Sequence, residues 1–129
     1  MDAALEDRLV AAATRARGNA VSKRSGFAVG AAIESGDGAV WGGCNVENST
    51  YGLTVCAERV AIWKALSEGQ RRFTAVAVVT GADEPTPPCG ACRQILWEFA
   101  GDVPIVSATT GGQRKRYRLS EIFPEPFDF

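Results

Sequence analysis

Apolar positions recur every three or four residues over 2–18, where Leu5, Leu9, Ala12, Ala13 and Ala16 fall on one face. That period predicts an amphipathic helix, with Asp2 placed to cap its start and Gly18-Asn19 to end it. Residues 27–34 then read as a strand, Gly36-Asp37-Gly38 as a hairpin turn, and 39–46 as the returning strand. A stretch rich in Asn, Ser, Thr and Gly from Glu47 to Leu53 predicts a loop, where binding residues tend to collect. A second helix is expected over about 55–68, capped by Thr54 and stopped by Gly69. Residues 73–80 are almost continuously apolar, the mark of a strand buried on both faces. Pro85, Pro87 and Pro88 stiffen the approach to a third helix over about 89–100. A fourth strand at 103–108, a turn at Gly111-Gly112 and a fifth strand at 113–119 complete the pattern.

The order α-β-β-α-β-α-β-β predicts an α/β fold of three layers, α-β-α, around a mixed five-stranded sheet. The two helical crossovers should join parallel strands through right-handed connections. The last two strands are too closely linked for a crossover, so they should pair antiparallel. The 129 residues fit a single domain spanning 1–129.

Composition narrows the chemistry. Fourteen Lys and Arg against fifteen Asp and Glu give a net charge of −1, which argues against a nucleic-acid polymer as partner. No apolar run approaches ~18 residues and the N-terminus lacks the layout of a signal peptide, so no membrane partner and a cytoplasmic location are expected. There is no histidine. Histidine-based hydrolases and imidazole proton shuttles are therefore excluded, and proton transfer near neutral pH falls to a carboxylate, a perturbed Cys or Lys, or a metal-bound water.

Four cysteines in a cytosolic chain suggest metal ligation more than bridging. Cys89 and Cys92 lie three residues apart at the start of the third predicted helix, so their sulfurs share a face. Cys56 sits at the start of the second. Three thiolates leave one tetrahedral position open, the arrangement of a catalytic Zn2+ rather than a structural one. Cys44 could close the site as a fourth ligand; it ends a strand without a paired spacing and is read as a packed residue. Arg59 is placed to donate to ligand sulfurs, or else to make a surface ion pair. Glu58, two residues from Cys56, is placed to hydrogen-bond a metal-bound water and carry protons; complementing the helix dipole is the simpler alternative.

Cys-Ala-Glu at 56–58 followed by Pro-Cys-x-x-Cys at 88–92 is a zinc-deaminase signature. Together with Phe27-Ala28-Val29-Gly30-Ala31-Ala32, Gly43-Cys44-Asn45-Val46-Glu47-Asn48 and Tyr51-Gly52-Leu53-Thr54-Val55, it resembles the small cytidine deaminases of pyrimidine nucleoside salvage. The resemblance implies hydrolytic attack at C4 of cytosine, with Glu58 protonating N3 and then the leaving amine, to give uridine and ammonia. It further implies that Asn45 and Glu47 bind ribose hydroxyls, that Phe27 lines the nucleoside site, and that the Ala57 carbonyl accepts from the exocyclic amine. Phe127 matches the family's C-terminal phenylalanine, which stacks on the base from an adjoining subunit of a homotetramer.

The segment Val21-Ser22-Lys23-Arg24-Ser25-Gly26 departs from the pattern, since a cation stands at 24 where the family usually has tyrosine. Arg24 is either a solvated loop residue or a contact for a substrate substituent, so a deaminase of a modified or antibiotic cytosine nucleoside, with blasticidin-S-deaminase-like specificity, is the alternative. The basic run Arg114-Lys115-Arg116-Tyr117-Arg118 reads as a solvated strand or a subunit contact. A polynucleotide deaminase would need a helix between the last two strands, and Gly111-Gly112 leaves no room for one. A non-catalytic zinc module would need neither Glu58 nor an open ligand position.

Overall fold

The computed structural model describes residues 1–128. Helix α1 (Ala3–Arg17) leads into strands β1 (Val29–Ser35) and β2 (Val40–Cys44), then helix α2 (Ala57–Ser67) and strand β3 (Phe73–Thr80). Helix α3 (Gly90–Ala100), strands β4 (Pro104–Thr109) and β5 (Arg114–Arg118) and a single helical turn, α4 (Leu119–Ile122), follow. The strands form one mixed sheet in the order β2-β1-β3-β4-β5. β3 and β4 pair parallel; the remaining neighbours, β4–β5 included, pair antiparallel. Because β2 and β3 are both antiparallel to β1, each helical crossover joins parallel strands, as the sequence predicts.

Alternation along the strands separates the two faces. On one, Leu9 and Ala13 of α1 pack over Ala32, Ala75, Ala77, Val79 and Val106. On the other, Ala61 and Ile62 of α2 and Leu96 of α3 cover Ile33, Val76, Val78 and Ile105. Both faces of β3 are therefore buried, which accounts for its unbroken apolar run. Two strand glycines permit the helices to approach. A Cβ at Gly30 would stand 1.9 Å from the Ala13 carbonyl, and one at Gly43 would stand 2.5 Å from the Ala61 nitrogen and 2.6 Å from the Ala57 carbonyl. The Gly43 contact seats the first turn of α2 directly on β2.

Both crossovers traverse the same face in the same direction, so α2 and α3 begin at one edge of the sheet, beyond the C-terminal ends of β2 and β3. Ligands collect at this edge in α/β sheets. The expected Thr54 cap is not formed. Thr54 Oγ1 instead accepts from the Asn48 amide at 3.0 Å, Val55 bridges to Val46, and α2 starts at Ala57 with Cys56 at its cap position. Helix α3 likewise starts with Cys89 at the cap.

The basic run is also not simply solvated. Arg114 pairs with Glu6 at 2.8 Å and Asp7 at 2.7 Å, Arg116 with Glu6 at 2.6 Å, and Arg118 with Asp102 at 3.3 Å. Glu6 lies buried on the sheet side of α1, where an unpaired carboxylate would be costly. Beyond α4 the chain returns over α3. Arg93 donates to the carbonyls of Ile122 (2.6 Å) and Pro88 (2.8 Å), and Gln94 donates to that of Phe127 (2.9 Å). Among the described residues no helix is long and apolar enough to cross a membrane.

Candidate active site

The convergence of α2 and α3 brings Cys56, Cys89 and Cys92 together, their sulfurs all within 4.8 Å of one another. Cys56 and Cys89 occupy the two cap positions and Cys92 lies in the first turn of α3, so the cluster faces the positive ends of both helices. Cys56 and Cys89 Sγ are 3.8 Å apart, far beyond a disulfide bond. Four-coordinate zinc with Zn–S bonds of ~2.3 Å requires sulfurs ~3.8 Å apart. Cys44, at the end of β2, lies outside the cluster.

The Cys92 thiol and the Arg59 guanidinium, both donating to Cys56, hold its thiol down to about 5. That donation, with burial, pushes Cys92 up. Three thiolates are the soft donor set that zinc accepts, and a divalent ion would let all three cysteines ligate in that form. Arg59 Nη2 lies 3.2 Å from Cys56 Sγ, and its buried Nε has no hydrogen-bond partner. The guanidinium thus points its charge at the sulfurs rather than at a surface carboxylate. The three cysteines fit zinc.

Glu58 sits in the first turn of α2, 5% exposed, on the wall of a cleft of about 280 Å³ that also includes Cys56 and Cys89. Burial, reinforced by the nearby Cys56 thiolate, pushes its carboxyl up to about 7. A group of this kind can take up and give back a proton near neutral pH.

Phe27, Asn45, Glu47 and Ala57 line the same cleft. Asn45 is buried, its Oδ1 accepting from the Val29 amide and its Nδ2 donating to the Phe27 carbonyl, both at 2.9 Å. This tie holds Phe27 at the rim. Glu47 accepts from the Ser25 hydroxyl and from the amides of Ser25 and Arg24, each at 3.1 Å. These bonds, the Ser25 hydroxyl first, hold its carboxyl below the usual range. Arg24 lines an adjoining depression with Asn48 and Tyr51, which meets the cleft at Ser25, Glu47 and Thr54. Phe127 does not line the cleft of its own chain and is 70% exposed.

Sequence reasoning missed Ser25, Val29, Thr54, Val78, Thr80, Thr86 and Pro87 as wall residues. Thr80 and Thr86 share a hydrogen bond of 3.2 Å between their hydroxyls. Val78 and Thr80 gave a legible signal: they lie at the C-terminal end of a parallel strand, where such sites form.

Comparison with known proteins agrees with this geometry. The family model for the cytidine and deoxycytidylate deaminase zinc-binding region matches residues 4–108. A cytidine deaminase from Sporosarcina psychrophila is 42% identical over 122 residues, 94% of this chain and 90% of that protein. The crystal structure of cytidine deaminase from Burkholderia pseudomallei superposes with a TM-score of 0.92 at 40% identity, covering 98% of this chain and all of that one. A blasticidin-S deaminase from Bacillus cereus is more distant, 32% identical over 104 residues and 74% of each chain. With three sulfurs at two helix starts, a buried carboxyl beside them and these relatives, the chain belongs to the zinc-dependent cytidine and deoxycytidylate deaminase family.

Proposed function

We propose that this chain, as one domain spanning 1–129, converts cytidine and deoxycytidine to uridine and deoxyuridine with release of ammonia. The observation that carries the reading is Glu58, a carboxyl buried against the Cys56, Cys89 and Cys92 cluster at the wall of a nucleoside-sized cleft and able to exchange protons near neutral pH. Bound by those three cysteines, zinc supplies the Lewis acid that activates the attacking water. Glu58, as a carboxylate, would accept a proton from the attacking water and deliver it to N3, then take the proton of the resulting C4 hydroxyl and pass it to the amine as the C4–N4 bond breaks. Arg59 holds the Cys56 sulfur and draws off part of its charge, which keeps three thiolates from quenching the metal.

Asn45 and Glu47 address the ribose hydroxyls, and Glu47 is supported in this role by the three donors that hold its carboxylate ionised and fixed. Phe27 packs against the nucleoside, and the Ala57 carbonyl accepts from the exocyclic amine. Phe127 closes the site of an adjoining subunit in a homotetramer, a role its exposure on its own chain supports. The reading places the enzyme in the cytoplasm, in pyrimidine salvage, with a small nucleoside as its partner and neither a nucleic-acid polymer nor a membrane. The greater distance of the blasticidin-S deaminase relative favours ordinary nucleosides over antibiotic ones.

Ammonia release across cytidine, deoxycytidine, free cytosine and blasticidin S tests the proposal. Both nucleosides should turn over well and free cytosine poorly, because without a sugar it forgoes the contacts that Asn45 and Glu47 would make to the hydroxyls. Glu58→Gln should keep zinc and lose at least ~10²–10⁴-fold in kcat. Near-wild-type turnover in that variant, or activity confined to the antibiotic, would overturn the reading.

A further inference from the structure

The C-terminal tail is tied to the same helix that holds two of the metal ligands. Helix α3 carries Cys92, Arg93 and Gln94 in succession. The Arg93 guanidinium spans two carbonyls: Pro88, directly before the ligand Cys89, through Nε at 2.8 Å, and Ile122, the last residue of α4, through Nη1 at 2.6 Å. One residue on, Gln94 Nε2 reaches the Phe127 carbonyl at 2.9 Å. Between those two anchors, residues 123–126 form no helix or strand, and Phe123 packs against the core below α3. All three bonds run from a side chain to the backbone. They fix the path of the tail through its backbone.

We propose that Arg93 and Gln94 are positioning residues that register the C-terminal tail against the metal-bearing turn, and so set where Phe127 is presented. This rests on the reading that Phe127 closes a substrate site. Arg93 sets the start of the tail relative to the Cys89 turn, and Gln94 sets its end. Neither lines the cleft. Their effect therefore falls on substrate affinity through the ring of Phe127, not on the proton transfers at Glu58. Gln94 is the position to test, because Arg93 also supports Pro88 and its loss would disturb the ligand turn itself.

Gln94→Glu keeps volume and helix preference but replaces the donating amide with an acceptor that the Phe127 carbonyl cannot use. Its KM for cytidine should rise roughly 3- to 10-fold, the scale of one lost hydrogen bond. Its kcat should stay within about twofold of wild type, since the reacting groups are untouched. Zinc content and melting temperature should be unchanged, which a merely structural role would not predict. Phe127→Ala should raise KM by more, and Gln94→Glu should add nothing in the Phe127→Ala background, because both act through one ring. If Phe127→Ala raises KM while Gln94→Glu does not, or if the two effects add, the positioning proposal is wrong and the role of Phe127 stands. If Phe127→Ala leaves KM unchanged, the reading of Phe127 falls and this proposal falls with it.

Discussion

Glu6 and Glu58 are both buried carboxylates, and their surroundings drive them in opposite directions. Burial and a nearby thiolate raise the Glu58 carboxyl, so it can exchange protons near neutral pH. Glu6 receives Arg116 and Arg114, which hold its carboxyl below the ordinary value of 4.5. A folded-state pKa below the unfolded one means that the contribution of Glu6 is present in full above about pH 4.5 and is lost as pH falls through the folded value. Glu6→Gln should accordingly cost roughly 1–3 kcal/mol at pH 7, the range for hydrogen bonds to charged groups, and much less at pH 3. Urea unfolding of both proteins at the two pH values checks this; a difference that does not shrink with acid would show that the charge of Glu6 is immaterial. Glu58 was legible in the sequence because it stands two residues from a ligand. Glu6 was not, since its partners lie 108 and 110 residues away and a helix pattern carries no record of them.

At the level of elements, the hydrophobic pattern located every strand to within two residues or so, because burial on one or both faces writes itself into alternation. Helix starts were equally legible in position, and Asp2 caps α1 as expected, but the capping residue of α2 was not. Thr54 has the better intrinsic capping side chain, yet Cys56 takes the cap position, since Thr54 and Val55 are drawn into contacts with Asn48 and Val46. The site depends on this shift, for it aims the Cys56 sulfur past the end of α2 toward α3. Gly43 is the other element-scale determinant, and a strand glycine does not announce which helix it admits. Gly43→Ala would push its methyl into the Ala57 carbonyl and the Ala61 nitrogen, which are backbone atoms and cannot rotate away. A loss of about 1–3 kcal/mol or more is expected, with reduced zinc content because the Cys56 turn moves. Gly52→Ala, with open space around it, should leave stability nearly unchanged. Equal stability of the two variants in denaturant would show that α2 is not seated through Gly43.

Across the whole molecule, the candidate ligands are far apart in the chain: Cys56 and Cys89 lie 33 positions apart, with α2, β3 and the proline-bearing approach to α3 between them. An ion held by both cysteines would be a cross-link as well as a catalyst. Closing a loop of this length removes chain entropy worth about 3–4 kcal/mol from the unfolded state, by the reckoning used for disulfides. A cofactor bound only by the native chain also stabilises it in proportion to occupancy. Chelation should thus lower the melting temperature by several degrees as well as abolish turnover, and scanning calorimetry with and without chelator measures it. An unchanged melting temperature on full zinc loss would show that the two helix starts hold together unaided. A chain with no disulfide has here a fastener that opens with metal availability rather than with redox state. In zinc-poor conditions the enzyme should lose molecules to unfolding and proteolysis, not merely hold them idle.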